Sequence, residues 1–172
     1  MQHNIVVHPI QPVYDPDSKV LILGSMPSPK SRETGFFYGH PQNRFWRVMT
    51  MLLNEEYPES IQDKQKLLHQ NHIALWDVLA SCEIDGADDN SIRKPVPNPV
   101  EQIIAGSKIE AVFTTGKKAF TLYQKLCFPI TLWEAVSLPS PSPANCRIPF
   151  DELCRAYQII LPFLKTESAE RE

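Results

Sequence analysis

Lys19-Val-Leu-Ile-Leu-Gly24 is a continuous apolar run closed by a glycine, the pattern of a strand buried on both faces. Outward from it, the chain alternates. Arg44 to Leu53 has helical spacing, with Phe45, Val48, Met49 and Leu52 on one face and Asn43 where an N-cap belongs. Ser60 to Gln70 predicts a second helix with Ile61, Leu67 and Leu68 inward, and Ile73 to Ala80 a second strand. The polar, acidic stretch Ser81 to Pro97 predicts a loop. Asn98-Pro99-Val100-Glu101 predicts a helix start, with Asn as cap, Pro in the first position and Glu completing a capping box. Ile109 to Thr114 and Thr131 to Leu138 predict two more strands, with a helix from Gly116 to Cys127 between them. Pro149 to Leu164 predicts the last helix, with Phe150, Leu153, Cys154, Tyr157, Ile160, Leu161 and Leu164 as its core stripe. The fold class expected is α/β: a three-layer α/β/α domain with a central, mostly parallel four-stranded sheet.

The chain has 172 residues, of which 42% are hydrophobic, enough for one compact domain with a full core. That domain is expected over residues 1–164, with a polar tail over 165–172. No apolar run approaches a membrane span. The start, MQHNIVVHPI, lacks the features of a signal peptide, so a soluble, cytoplasmic protein is expected. Cys82, Cys127, Cys146 and Cys154 form no C-x-x-C pair and no His cluster completes a zinc pattern. Reduced thiols, no metal and no cofactor are the expectation. Asp85, Asp88 and Asp89 read as a solvated acidic turn. Neither a G-x-G-x-x-G fingerprint nor a P-loop is present, which disfavours a nucleotide-binding domain. With no coiled-coil stripe, a monomer is expected.

In open parallel sheets ligands bind beyond the carboxyl ends of the strands. Two loops of unusual composition leave those ends. The first, with its flanks, is GSMPSPKSRETGFFYGHPQN, Gly24 to Asn43. It combines glycines, aromatics that could stack on bases, an amide and basic residues. Between Pro27 and Leu53 the charges are Lys30, Arg32, Arg44 and Arg47 against Glu33 alone, a surplus that could meet phosphates although the net charge is -3. The second, Leu138-Pro-Ser-Pro-Ser-Pro-Ala-Asn145, is stiff because Pro139, Pro141 and Pro143 each fix φ.

Together these segments resemble the uracil-DNA glycosylase superfamily. LILGSMPSPKSRETGFFYGHPQNRFWRVM is similar to its first motif, and His40-Pro-Gln-Asn-Arg-Phe-Trp46 to the His-Pro-x-Asn-x-Phe-Trp of the mismatch-specific uracil/thymine branch. GSMPS, YGHPQNRFW, LWDVLASC and LPSPSPAN most resemble the hypoxanthine-DNA (deoxyinosine) glycosylase branch. Two departures stand against a uracil enzyme. Met26 occupies the turn position where the mismatch branch has Asn, and Leu138 the place where many relatives have His or Asn.

The resemblance implies a monofunctional enzyme that flips a deaminated base from DNA, hypoxanthine first, and hydrolyses its N-glycosidic bond. Asn43 is then the catalytic amide, bonding the base or the attacking water; as a residue it reads equally as an N-cap, or as both. Tyr38, with Phe37, is expected to stack on the base, though without the resemblance Phe36, Phe37 and Tyr38 read as core. Gly24, Ser25, Met26, Pro27 and Ser28 are expected to line the pocket, and His40 to steady the first loop. Pro139, Ser140, Pro141 and Ser142 are expected to pinch the DNA backbone, and Lys30 and Arg44 to meet phosphates. Trp46 reads as core. Asp77 reads as a carboxylate near a strand end that caps a neighbouring helix or loop. The alternatives are a uracil/thymine mismatch glycosylase and a damaged-DNA-binding domain without catalysis.

Overall fold

A computed structural model of the chain describes residues 5–164; the expected polar tail lies outside the described residues. The run that opened the sequence reading is strand β2 (Val20–Gly24), all five residues buried. It lies between β3 (Ile73–Asp77) and β6 (Ala111–Thr115), and β7 (Ala135–Leu138) closes the far edge. All pairings are parallel, in the order β3-β2-β6-β7. Alternate residues of a strand point to opposite faces, and here each face meets its own core. Val20 and Ile22 pack with side chains of helices α2 (Phe45–Leu53), α3 (Ile61–Gln70) and α7 (Phe150–Tyr157). Leu21 and Leu23 pack on the other face with α4 (Val100–Ala105) and α5 (Lys117–Leu126). This is the expected three-layer arrangement.

The segment read as a polar loop, 81–97, is instead most of an antiparallel hairpin. β4 (Leu79–Asp85) and β5 (Asp88–Pro97) pair with each other, and β1 (Ile5–Val7) pairs with β4, giving a second sheet of order β1-β4-β5. Only Cys82, Ile84 and Ile92 of its polar part turn into the core, and register shifts interrupt the β4–β5 pairing, so the period-two signal is diluted by exposed charged residues. Gly86, at φ 58°, makes the turn.

Smaller differences have local causes. The first long loop contains a short helix, α1 (Pro29–Thr34), whose start is capped by Ser28 accepting the Ser31 N–H. Asn98 is no cap: it is buried and its amide donates to the carbonyls of Asp77 and Leu79, both at 2.9 Å. Ile61, expected inward, is 41% exposed at the first position of α3. The expected fourth strand begins only at Ala135, because 128–131 continue as helix α6 (Phe128–Thr131). The last helix is α-helical only to Tyr157; Gln158–Leu164 is 3-10, since Pro162 has no N–H and its ring clashes with the carbonyl four residues before it.

Candidate active site

The four parallel strands end level: Gly24 is paired with Asp77, and Thr115 with Leu138. A pocket of about 310 Å³ opens beyond these ends. The first loop, the tip of the β4–β5 hairpin and the Ser-Pro loop wall it. Its lining includes every residue from Gly24 to Ser28, together with Phe37, Tyr38, His40, Asn43, Ser140, Pro141 and Ser142. Segments far apart in sequence therefore meet where the sheet rule placed the ligand. Lys30, Arg44 and Pro139 lie outside the lining.

At the floor, Gly24 is glycine because three side chains close over it. A Cβ there would lie 2.4 Å from Asp77 Oδ1 and 3.5 Å from both Thr115 Oγ1 and the Tyr38 hydroxyl. Asp77 is 4% exposed. His8 Nδ1 accepts the Ile10 N–H at 3.2 Å, which leaves the ring proton on Nε2, and this donates to Asp77 Oδ2 at 2.7 Å. The expected cap of a helix or loop is replaced by a buried histidine–carboxylate pair. Oδ1 remains on the pocket side.

The aromatic run divides. Phe36 and Phe37 are core, edge to face with each other, and Trp46 is buried with Nε1–H donating to the Phe37 carbonyl. Tyr38 has φ 52°. Its hydroxyl shares a hydrogen bond with Thr115 Oγ1 (3.1 Å), and one ring face is stacked on Phe45 with centroids 3.9 Å apart. Burial, and then the Asp77 charge, push the Tyr38 hydroxyl far above the ordinary tyrosine range, so it stays neutral.

Asn43 lies just before α2. The helix's cap position is Arg44, yet Asn43 Oδ1 accepts the Phe45 N–H at 2.9 Å, so it satisfies one of the free donors of that helix start. That bond fixes the amide's orientation. The Nδ2 end donates to no protein atom among the described residues. His40 holds the preceding turn: its carbonyl accepts the Asn43 N–H and its Nδ1 the Gln42 N–H.

The Ser-Pro loop is tied down through its carbonyls. Pro139 O accepts from the Tyr157 hydroxyl (2.7 Å), Ser140 O from Asn145 Nδ2 (2.9 Å) and Pro141 O from the Arg44 N–H (3.0 Å). The Arg44 guanidinium, expected at a phosphate, donates to the carbonyls of Ile148 (2.6 Å) and Asn145 (3.0 Å). It clamps this loop to the start of α2. Lys30 pairs with Glu33 one turn away at 3.6 Å.

The hairpin tip supplies a wall that sequence reading missed. Asp85 and Asp88 are exposed, as a solvated turn requires, but Asp89 is half-buried and lines the pocket. Ser25 Oγ–H donates to Asp89 Oδ1 at 2.9 Å. Burial, followed by repulsion from Asp77, raises its pKa above the ordinary carboxylate value despite the Ser25 bond and Lys118. Among the described residues no group of three or more His, Cys, Asp or Glu is gathered so as to hold a metal ion. No helix among them is long and apolar enough to cross a membrane. The four cysteines are free, two buried.

Known proteins resemble this chain along most of its length. The family model described as "Uracil DNA glycosylase superfamily" matches residues 11–164. A protein of Methanosarcina barkeri (strain Fusaro) named hypoxanthine DNA glycosylase is 36% identical over 110 residues, 63% of this chain and 70% of that protein. One of the same name from Methanosarcina acetivorans is 32% identical over 139 residues, 78% of this chain and 85% of that one. A solution NMR structure from Methanosarcina acetivorans, described as a proposed uracil DNA glycosylase, superposes with a TM-score of 0.76 at 28% identity, covering 91% of this chain and 99% of that chain.

Proposed function

The chain belongs to the uracil DNA glycosylase superfamily and is a DNA glycosylase, and we propose that the base it releases is hypoxanthine, flipped from deoxyinosine. The observation that carries this reading is the amide of Asn43. Its oxygen is held by the Phe45 N–H, and its NH2 has no partner among the described residues, at a pocket walled by Gly24–Ser28. Cleavage of an N-glycosidic bond builds positive charge on the sugar and negative charge on the departing base. A donor aimed at that base stabilises the charge where it develops. Hypoxanthine holds it better than adenine, because its exocyclic oxygen shares it. The Asn43 NH2 supplies such a donor, and the Gly24–Ser28 backbone lies against the same base.

The other residues position the substrate. One face of Tyr38 is taken by Phe45, so a base stacks on the other. Ser140, Pro141 and Ser142, on a loop tied through its carbonyls, press on the strand from which the base has left, with Pro139 at its root; Lys30, paired with Glu33 in the free protein, is assigned to a phosphate. Met26 lines the pocket where the mismatch-specific uracil/thymine branch has Asn, a departure that weighs against the uracil-enzyme reading. Two names of relatives point the same way. The reading includes a monomer that acts on deaminated DNA in the cytoplasm.

The test is release of free base from duplexes carrying one deoxyinosine, deoxyuridine or deoxyxanthosine, with the product identified by mass and the sugar by alkaline cleavage at the abasic site. Hypoxanthine release faster than uracil release is the expected outcome. Binding to the deoxyinosine duplex without any free base, or uracil as the preferred product, would overturn it.

A further inference from the structure

We propose that Asp89 is a catalytic acid that protonates the departing purine at N7, a proposal that rests on the hypoxanthine reading above. Asp89 is the second residue of β5, immediately past the hairpin turn, and it lines the pocket from the wall that the two recognised loops do not supply. The Ser25 hydroxyl fixes Oδ1 at 2.9 Å, and Ser25 belongs to the turn that lines the same pocket. Oδ2 takes no hydrogen bond among the described residues and is the atom left to act.

The surroundings of Asp89 favour its protonated form. Burial comes first, then the carboxylate of Asp77 across the pocket, with Asp88 beside it in β5 adding to the effect; Lys118 of α5 and the Ser25 hydroxyl oppose them. The Cys82 thiol of β4 also faces it and is itself pushed up by burial. Asp77 has a buried histidine donor at 2.7 Å, whereas Asp89 has a serine hydroxyl. Of the two carboxyl groups on this pocket, Asp89 is the one whose surroundings favour delivery of a proton.

Neither Asn43 nor Tyr38 gives up such a proton. The Asn43 amide donates a hydrogen bond but does not release its proton, and the Tyr38 hydroxyl is held neutral. In the step, water oxygen bonds to C1′ while the C1′–N9 pair passes into the purine. The Asp89 proton moves to N7, and the proton lost by water returns to the Asp89 carboxylate. Neutral hypoxanthine and an abasic sugar leave, and the enzyme is restored.

The experiment is single-turnover release from deoxyinosine and from 7-deaza-2′-deoxyinosine across a pH series, with wild type and Asp89→Asn; asparagine keeps an acceptor for Ser25, and thermal melts report folding. Expected are a wild-type rate that falls as pH rises through the ionisation of Asp89, and a folded Asp89→Asn slower by about 100-fold without that limb. The 7-deaza base should slow wild type but add little to the defect of Asp89→Asn. A folded Asp89→Asn that keeps the wild-type rate and pH limb, or that loses as much as wild type on the 7-deaza base, overturns the proposal and leaves the substrate reading intact. If wild type releases no hypoxanthine, the substrate reading falls and takes the proposal with it.

Discussion

The carboxamide oxygen of Asn43 accepts the backbone N–H of Phe45 at 2.9 Å, so one side chain that lines the pocket also holds the start of a helix. The helix-start bond fits the cap reading that the sequence left open for this residue, and the same bond would orient the amide for the role proposed above. An amide held in place before the base arrives needs no reorganisation during the reaction, which is what makes a fixed donor effective.

Substitution can separate the two roles. Asn43→Ser keeps an acceptor for the Phe45 N–H and loses the NH2. We expect it to unfold within about 0.5 kcal/mol of wild type in urea, since Ser and Asn cap about equally. Hypoxanthine release should fall by about 100- to 1000-fold, as for loss of one such donor. Full activity in the folded serine variant would leave Asn43 a cap only.

The sheet, both its faces and the position of the pocket were legible because β2 announces itself by five buried residues and the loops at its end carry the family's motifs. The hairpin was not. Its inward side chains are few, its pairing shifts register, and its residues are mostly charged or polar, so local composition described its exposed face. That one omission hid the pocket wall bearing Asp89. Likewise His8 and Asp77 are 69 residues apart, and Arg44 reaches carbonyls about a hundred residues on. Such pairings are made by topology, and no spacing in the sequence encodes them.

Gly24→Ala tests the closed floor. The added Cβ would meet Asp77 Oδ1 at 2.4 Å, and Asp77 is held from behind by His8, so neither can move cheaply. Overpacking of this kind costs about 1–3 kcal/mol, to be read by urea denaturation, and base release should be lost with it. An active variant of wild-type stability would show that the Asp77 side chain yields freely.

Thiol labelling reports burial directly. Cys146 is exposed. Burial pushes the Cys127 thiol up to about 12, and raises those of Cys82 and Cys154. Only thiolates alkylate. At a pH near 8 the native protein should therefore take one iodoacetamide quickly, at Cys146 by peptide mass, and all four only in denaturant. Rapid native labelling of Cys127 would contradict its placement in the core.

Asp89 should destabilise the fold at neutral pH. Its carboxyl binds a proton more tightly folded than unfolded, so stability falls as pH rises from the ordinary value of 3.8 through the raised one. Asn carries no ionisation and escapes this penalty. Asp89→Asn should melt above wild type at neutral pH, and the gain should vanish in acid below the ordinary value. Equal melting temperatures throughout the pH range would show that the carboxylate is well solvated.

Arg44 is where sequence and structure disagree most usefully. As a phosphate ligand, its removal would lower the dependence of DNA affinity on salt by about one unit of slope. As a clamp on the Asn145 and Ile148 carbonyls, its removal should leave that slope unchanged. Neutral glutamine cannot reproduce the two-pronged donation, and the carbonyls it leaves unpaired should lower stability by about 1–3 kcal/mol. Arg44→Gln should accordingly weaken binding to deoxyinosine duplex by a constant factor at every salt concentration, through a loosened Ser-Pro loop, and Tyr157→Phe, which frees the Pro139 carbonyl, should do the same. If Arg44→Gln flattens the salt dependence while stability holds, the guanidinium leaves its carbonyls for the DNA, and the clamp describes only the unliganded protein.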